Sequence, residues 1–211
     1  MLLQQQIITF GGNNSEVVSP APVVVGHGIT YNVHPNVDAL TDDYLIWYRT
    51  RTYSGLETVP AGYTDLGGLA LASEYALSMS ICGRQIPSSG SYADAFTFSN
   101  AHHGYILVRG GTFNFGDVAT HAKLTGLATS SSVTWAASGT PARLVVQIAC
   151  ARENQTDLAP LLSNNATTLL DSYGSNSYLD MRVGSRAGST PLETKTLVAP
   201  SSTITAVLVW Q

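Results

Sequence analysis

The sequence predicts an all-β protein: a single jelly-roll-like antiparallel β-sandwich with an extended N-terminal arm. Three observations point there. Ser and Thr supply 22 residues each and, with Val and Gly, crowd out the helix builders Glu, Lys and Gln. Short apolar runs with period-2 alternation recur along the chain, divided by Gly, Pro, Asn and Ser clusters. The 211 residues are 44% hydrophobic and only 11% charged, enough apolar surface for a core without disulfide or metal staples.

The elements follow in chain order. Leu2, Leu3, Ile7 and Ile8 flank a glutamine triplet and run into Gly11-Gly12-Asn13-Asn14. Residues 1–14 therefore read as an edge strand or as an arm that adds a strand to a neighbouring subunit, with residues 15–211 forming the sandwich. Val23–Val25 and Ile29–Val33 are weak strand signals. Tyr44–Arg51 is a strand in which Arg49 and Arg51 share the face of Leu45 and Trp47. Leu77, Met79 and Ile81 alternate with Ser78, Ser80 and Cys82, the pattern of a half-buried strand. Tyr92–Ser99 and Tyr105–Arg109 read as strands around a turn at Asn100–Gly104. Ser132–Trp135 is weak. Arg143–Ala151 is the most apolar, with Leu144, Val146, Ile148 and Cys150 on one face. Leu179–Val183 and Thr203–Trp210 complete eight to ten strands, and a turn or two of helix fits Gln155–Leu162. Neither a 20- to 50-residue repeat nor a linker breaks the chain, so one domain is expected.

Composition excludes several functions. Two Lys and eight scattered Arg at net charge −4 do not make the basic stripe a nucleic-acid binder needs. Apolar runs fall short of the ~20 residues of a membrane-spanning helix, and Met1–Phe10 lacks the basic start of a signal peptide. The three sequons, at Asn13, Asn154 and Asn165, are then expected to be silent. Cys82 and Cys150 read as small buried hydrophobes with free thiols.

Catalytic and cofactor motifs are not apparent. Gly-x-Ser-x-Gly is absent, since Gly184-Ser185-Arg186-Ala187-Gly188 places its serine one position early. Gly26-His27-Gly28 never reaches the third glycine of a dinucleotide fingerprint, and Gly67-Gly68 and Gly110-Gly111 read as turns. His102 and His103 are adjacent and leave opposite faces of an extended segment, while His27 and His34 are seven apart, so no metal ligand set is legible. Asp38, Asp42 and Asp43 lack the EF-hand pattern, and fourteen thinly spread acids suggest no glycosidase pair. No catalytic residue, cofactor or metal is expected.

Val59-Pro60-Ala61-Gly62-Tyr63-Thr64-Asp65-Leu66 resembles the P-x-G-W-T-x-L turn of a group of tailed-phage virion proteins. The resemblance extends in pattern over residues 20–211: a preceding strand at Thr41–Tyr48, a following one at Tyr75–Cys82, a pair at Tyr92–Ser99 and Gly104–Gly110, and a late strand at Pro141–Arg152 after Thr134-Trp135. Its specific parts are Pro60–Leu66 and Gly104–Gly110. The chain departs from the pattern in having Tyr63 for Trp and no Gly before Asp43. The resemblance implies a jelly-roll or sandwich module in a virion, as a head decoration protein or a tail component, with no catalytic residues to transfer.

The expected function is thus non-enzymatic: a capsid decoration (cement) protein, trimeric, bound to the major capsid protein, located in virions assembled in the host cytoplasm. The arm residues Leu2, Leu3, Ile7 and Ile8, and an aromatic and arginine surface of Arg49, Arg51, Tyr53, Tyr63 and Tyr92, are the candidate interface. Interface cores favour Tyr, Trp and Arg over Lys, Glu and Asp. The alternative is a tail or baseplate module whose tyrosines Tyr53, Tyr63 and Tyr92 stack on a host glycan. Neither reading involves nucleic acid or membrane.

Overall fold

The strand-forming runs build two antiparallel five-stranded sheets and two short ribbons. A computed structural model describes residues 20–71, 76–97, 100–113, 123–125, 131–133, 143–153, 166–173, 179–188, 195–197 and 201–211. The strands are β1 (Val23–Tyr31), β2 (Asn36–Ala39), β3 (Tyr44–Arg51), β4 (Thr64–Leu71), β5 (Leu77–Gln85), β6 (Gly90–Ala93), β7 (His102–Arg109), β8 (Lys123–Thr125), β9 (Ser131–Val133), β10 (Leu144–Glu153), β11 (Thr167–Tyr173), β12 (Leu179–Ala187), β13 (Lys195–Leu197) and β14 (Ser201–Trp210). The first sheet runs β1-β7-β3-β5-β4 and the second β11-β12-β10-β14-β8; β2 pairs β6, and β9 pairs β13. Each large sheet therefore comes from one half of the chain.

Period-2 alternation sends one set of side chains from each sheet into a shared core. From the first sheet come Tyr44, Ile46, Tyr48, Leu77, Met79, Ile81, Ile106 and Val108; from the second come Leu144, Val146, Ile148, Cys150, Met181, Val183, Ile204, Ala206, Leu208 and Trp210. Burying such a branched or aromatic side chain contributes roughly 1.5–3 kcal/mol before the entropy cost is counted. Polar ties fix the relative position of the sheets. The Arg152 guanidinium donates to the Ala76 carbonyl at 2.6 Å, and the Thr50 hydroxyl donates to Met181 Sδ at 3.1 Å.

The opposite face of the first sheet is covered as well. Leu45, Trp47, Cys82 and Leu107 form a second core with Val37 and Ala39 of the β2–β6 ribbon and with Ile86, Ala95 and Phe96. The half-buried reading of Leu77–Cys82 is corrected accordingly: Ser78, Ser80 and Cys82 are buried too. Serines on a buried face imitate the solvent-side half of an amphipathic strand.

Other boundaries shift for local reasons. The strand expected over Tyr92–Ser99 stops at Ala93, because the Asp94 N–H turns to the Pro35 carbonyl and its carboxylate accepts the Phe96 N–H. The turn expected over Asn100–Gly104 is confined to its start, where Asn100 takes φ 61°, and His102 already lies in β7. Gly67-Gly68 is not a turn but part of β4, with a bulge between Asp65 and Gly67. Gly110 and Gly111 do form a turn, both at positive φ. The weak signal at Val23–Val25 and the first three residues of the one at Ile29–Val33 belong to one strand, β1, bulged between Val24 and Gly26; it ends at Tyr31, because Asn32 turns the chain at φ 56°. The arm residues Leu2, Leu3, Ile7 and Ile8 and the Gln155–Leu162 helix lie outside the described residues.

Candidate functional site

The covered outer face of the first sheet carries an unexpected row of polar and charged side chains. Cross-strand register sets Thr30 of β1, His103 of β7, Arg49 of β3 and Ser80 of β5 side by side. Arg49 is almost wholly buried and forms an ion pair with the equally buried Glu57 of the β3–β4 connection. Glu57 is held there by its own N–H, which donates to the Ser80 hydroxyl at 3.1 Å. Arg51 lies 3.5 Å from the same carboxylate and stacks on Tyr53. Burial lowers the Arg49 pKa, and Glu57 partly offsets that.

Beside Arg49, Asp94 gathers two histidines. Its Oδ2 lies 2.5 Å from His103 Nδ1 and 3.0 Å from His34 Nδ1, while Oδ1 accepts the Phe96 N–H at 3.0 Å. Burial alone would raise the Asp94 carboxyl; hydrogen bonds from His103, the Phe96 N–H and His34 outweigh it and hold it below the ordinary range. The imidazole rings are 4.4 Å apart and inclined at 69°. His102 leaves the opposite face of β7 and meets Tyr31 edge-on at 5.2 Å. Burial, together with the nearby His103, pushes its pKa down to about 4.

Two further features flank this row. Arg84 lies over both Tyr63 and Tyr92, at 5.2 and 5.4 Å from the ring centroids. Tyr63 is placed by the turn the motif marks: its N–H donates to the Pro60 carbonyl, and Gly62 has φ 87°, as the third position of a type II turn requires. At the other end, an open groove of about 560 Å³ is lined by Pro20, Leu40–Tyr44, Gln85 and Arg109–Gly111. Beside it Arg109 grips the buried Asp43 carboxylate in a two-point bond of 2.8 and 2.9 Å.

The arginine and tyrosine surface inferred from sequence is thus divided. Arg49 is corrected to a buried ion-pair member, which charge on an alternating strand cannot reveal. Arg51, half-buried beside Glu57, carries the exposed Tyr53 over its guanidinium, and Tyr63 and Tyr92 join through Arg84, a residue with no distinguishing mark in the sequence. Of the acids considered together, Asp38 and Asp42 are exposed and Asp43 is the arginine's partner. Both cysteines are free and buried, in different cores, and burial raises both thiol pKa values. The Asp94 cluster was missed because its members come together only through tertiary contacts. The nearest local signal is Asp94 followed two residues later by Phe96, an Asx-type turn.

The exposed apolar residues form a separate pattern. Among the described residues, β1 pairs only with β7 and closes one side of the first sheet. Four of the seven large hydrophobics exposed among those residues, Val23, Val25, Tyr31 and Val33, lie in β1 or just beyond it. The strand contains no Lys, Arg, Asp, Glu or Pro, the residues that commonly protect an edge from pairing.

Comparison of the chain with protein-family models, curated proteins and solved structures gave no match in any of the three.

Proposed function

We propose that this chain is a non-enzymatic structural protein of a bacteriophage virion, a decoration protein that bridges capsid subunits as a homotrimer. The observation that carries the reading is the β1 edge. An uncharged edge strand with exposed valines and tyrosine is an aggregation hazard in isolation and a docking strip in an assembly. Strand addition there would satisfy the outward N–H and C=O groups of β1 while covering Val23 and Val25. The low charge and the resemblance of Pro60–Leu66 to a virion-protein turn support the same reading. So does the chemistry around Asp94, where His34 and His103 face a carboxylate rather than a hydroxyl or thiol nucleophile.

The glycan-binding reading has less support. Tyr63 and Tyr92 already each present a ring to Arg84, and only Tyr53, 63% exposed, offers a broad open surface. Quantitative mass spectrometry of separated heads and tails tests the proposal. The protein is expected in heads at a fixed ratio to the major capsid protein; recovery with tails alone would overturn it in favour of the tail module.

A further inference from the structure

We propose that His34, Asp94 and His103 form a three-ligand site for a divalent transition-metal cation, with Zn²⁺ the best match. One ligand atom from each side chain lies within 4.8 Å of the others. Two imidazole nitrogens and a carboxylate oxygen are a donor set suited to zinc, which binds such ligands at about 2.0–2.2 Å. The three residues come from separate parts of the chain: the β1–β2 connection, the segment after β6, and β7.

The geometry is organised from behind. The β2–β6 ladder pairs Asn36 with Ala93, which brings the preceding His34-Pro35 alongside Asp94. The Asp94 N–H donates to the Pro35 carbonyl at 3.0 Å, and Oδ1 is held by the Phe96 N–H. Only Oδ2 is left to face the histidines, and both Nδ1 atoms point at that single oxygen. Backbone groups that orient a ligating carboxylate are the usual outer shell of a metal site. His103 is the buried member of the set: its Nε2 has no hydrogen-bond partner among the described residues, so the polar contacts of its ring are confined to the Nδ1 that faces Asp94.

The charges nearby permit a cation. Arg49 faces His103 across the strand pair, but Glu57 binds Arg49, and Asp94 contributes its own negative charge. The His34 side chain is 42% exposed, which leaves a solvent-facing side for water as a further ligand. Ligation through Nδ1 would place the ring proton of each histidine on Nε2. The bound ion would clip the β1–β2 connection to the segment after β6 and lock the ribbon over the second core. This site is independent of the proposed role in virions.

Isothermal titration of chelator-treated full-length protein with ZnCl₂, alongside the His34→Ala variant, tests the site. The expected result is one Zn²⁺ per chain, a higher melting temperature on binding, and a loss of affinity of about 100-fold or more in His34→Ala. Because His34 is exposed, the metal-free variant should keep the wild-type circular dichroism spectrum. Co²⁺ substitution should give weak visible bands of nitrogen and oxygen ligation without thiolate charge transfer, and His103→Gln should abolish them. Absence of stoichiometric zinc binding by the wild type, or equal affinity in His34→Ala, would overturn the proposal.

Discussion

Replacing Gly104 with alanine should destabilise the protein by about 2–6 kcal/mol, and the structure says where that cost arises. Gly104 of β7 pairs with Tyr48 of β3, whose ring crosses it so that the hydroxyl donates to the Gly28 carbonyl of β1 at 3.2 Å. A Cβ at position 104 would lie 2.1 Å from Tyr48 Cζ and 2.3 Å from Cε2 and the hydroxyl oxygen. Those distances are more than 1 Å inside van der Waals contact, and Tyr48 is fully buried, so the ring must leave its position. Overpacking of this kind costs about 1–3 kcal/mol, and stranding the buried hydroxyl adds about 1–3 kcal/mol. At this chain length each kcal/mol shifts the melting temperature by roughly 2–4 °C. Urea unfolding of Gly104→Ala, Tyr48→Leu and the double variant measures the effect as a double-mutant cycle. The double variant should be markedly more stable than the sum of the two single losses predicts. Gly90→Ala is the control, since a Cβ there meets nothing within 4 Å. Strict additivity in the cycle, or a Gly104→Ala loss no larger than the control's, would show that Tyr48 does not pack across Gly104 in this way.

Two other outcomes follow from buried groups. Hydrogen bonds from Arg109 and the Leu40 N–H, with the Arg109 charge, outweigh burial and hold Asp43 below its ordinary pKa. Its contribution is therefore complete above the unfolded value of about 3.9 and is lost as pH falls through the lower folded value. Wild type should be more stable than Asp43→Asn in urea at neutral pH, and that gap should narrow in acid; a pH-independent gap would contradict the assignment. Cys82 and Cys150, buried free thiols with raised pKa values, should be inert to a disulfide reagent in the native state and titrate as two thiols in urea. Rapid native labelling would show that one of the cores opens.

The apolar strands were legible because their signal is local. Tyr44–Arg51 has the predicted bounds, and β10 places Leu144, Val146, Ile148 and Cys150 in the core as their alternation requires. What local patterns could not carry is the layer above the first sheet. Its ribbon is made of β2 and β6, each four residues long, and NVDA and GSYA have little strand character in isolation. That layer buries the serine face of β5, turns Arg49 from a surface charge into a buried one, and brings residue 34 to residue 94. β4 was missed for a related reason: its TDLGGLAL run carries Gly67 at φ 100° in the bulge and Gly68 where β5 approaches, a Cβ at Gly68 meeting the Met79 carbonyl oxygen at 2.7 Å. The site was hidden in the same way, because His34, Asp94 and His103 are separated by 60 and 9 residues along the chain.

If the β1 edge is an assembly surface, charging it should prevent binding to heads. Capsids lacking the protein would be incubated with wild type or with Val23→Lys/Val25→Lys, and occupancy counted per capsid by cryo-electron microscopy. Both valines are exposed, at 49% and 42%, so the lysines should leave the fold and its circular dichroism unchanged. Wild type should reach saturable occupancy at symmetry-related positions, and the charged-edge variant little or none. Failure of the wild type to bind, or equal saturation by the variant, would contradict that role of the edge.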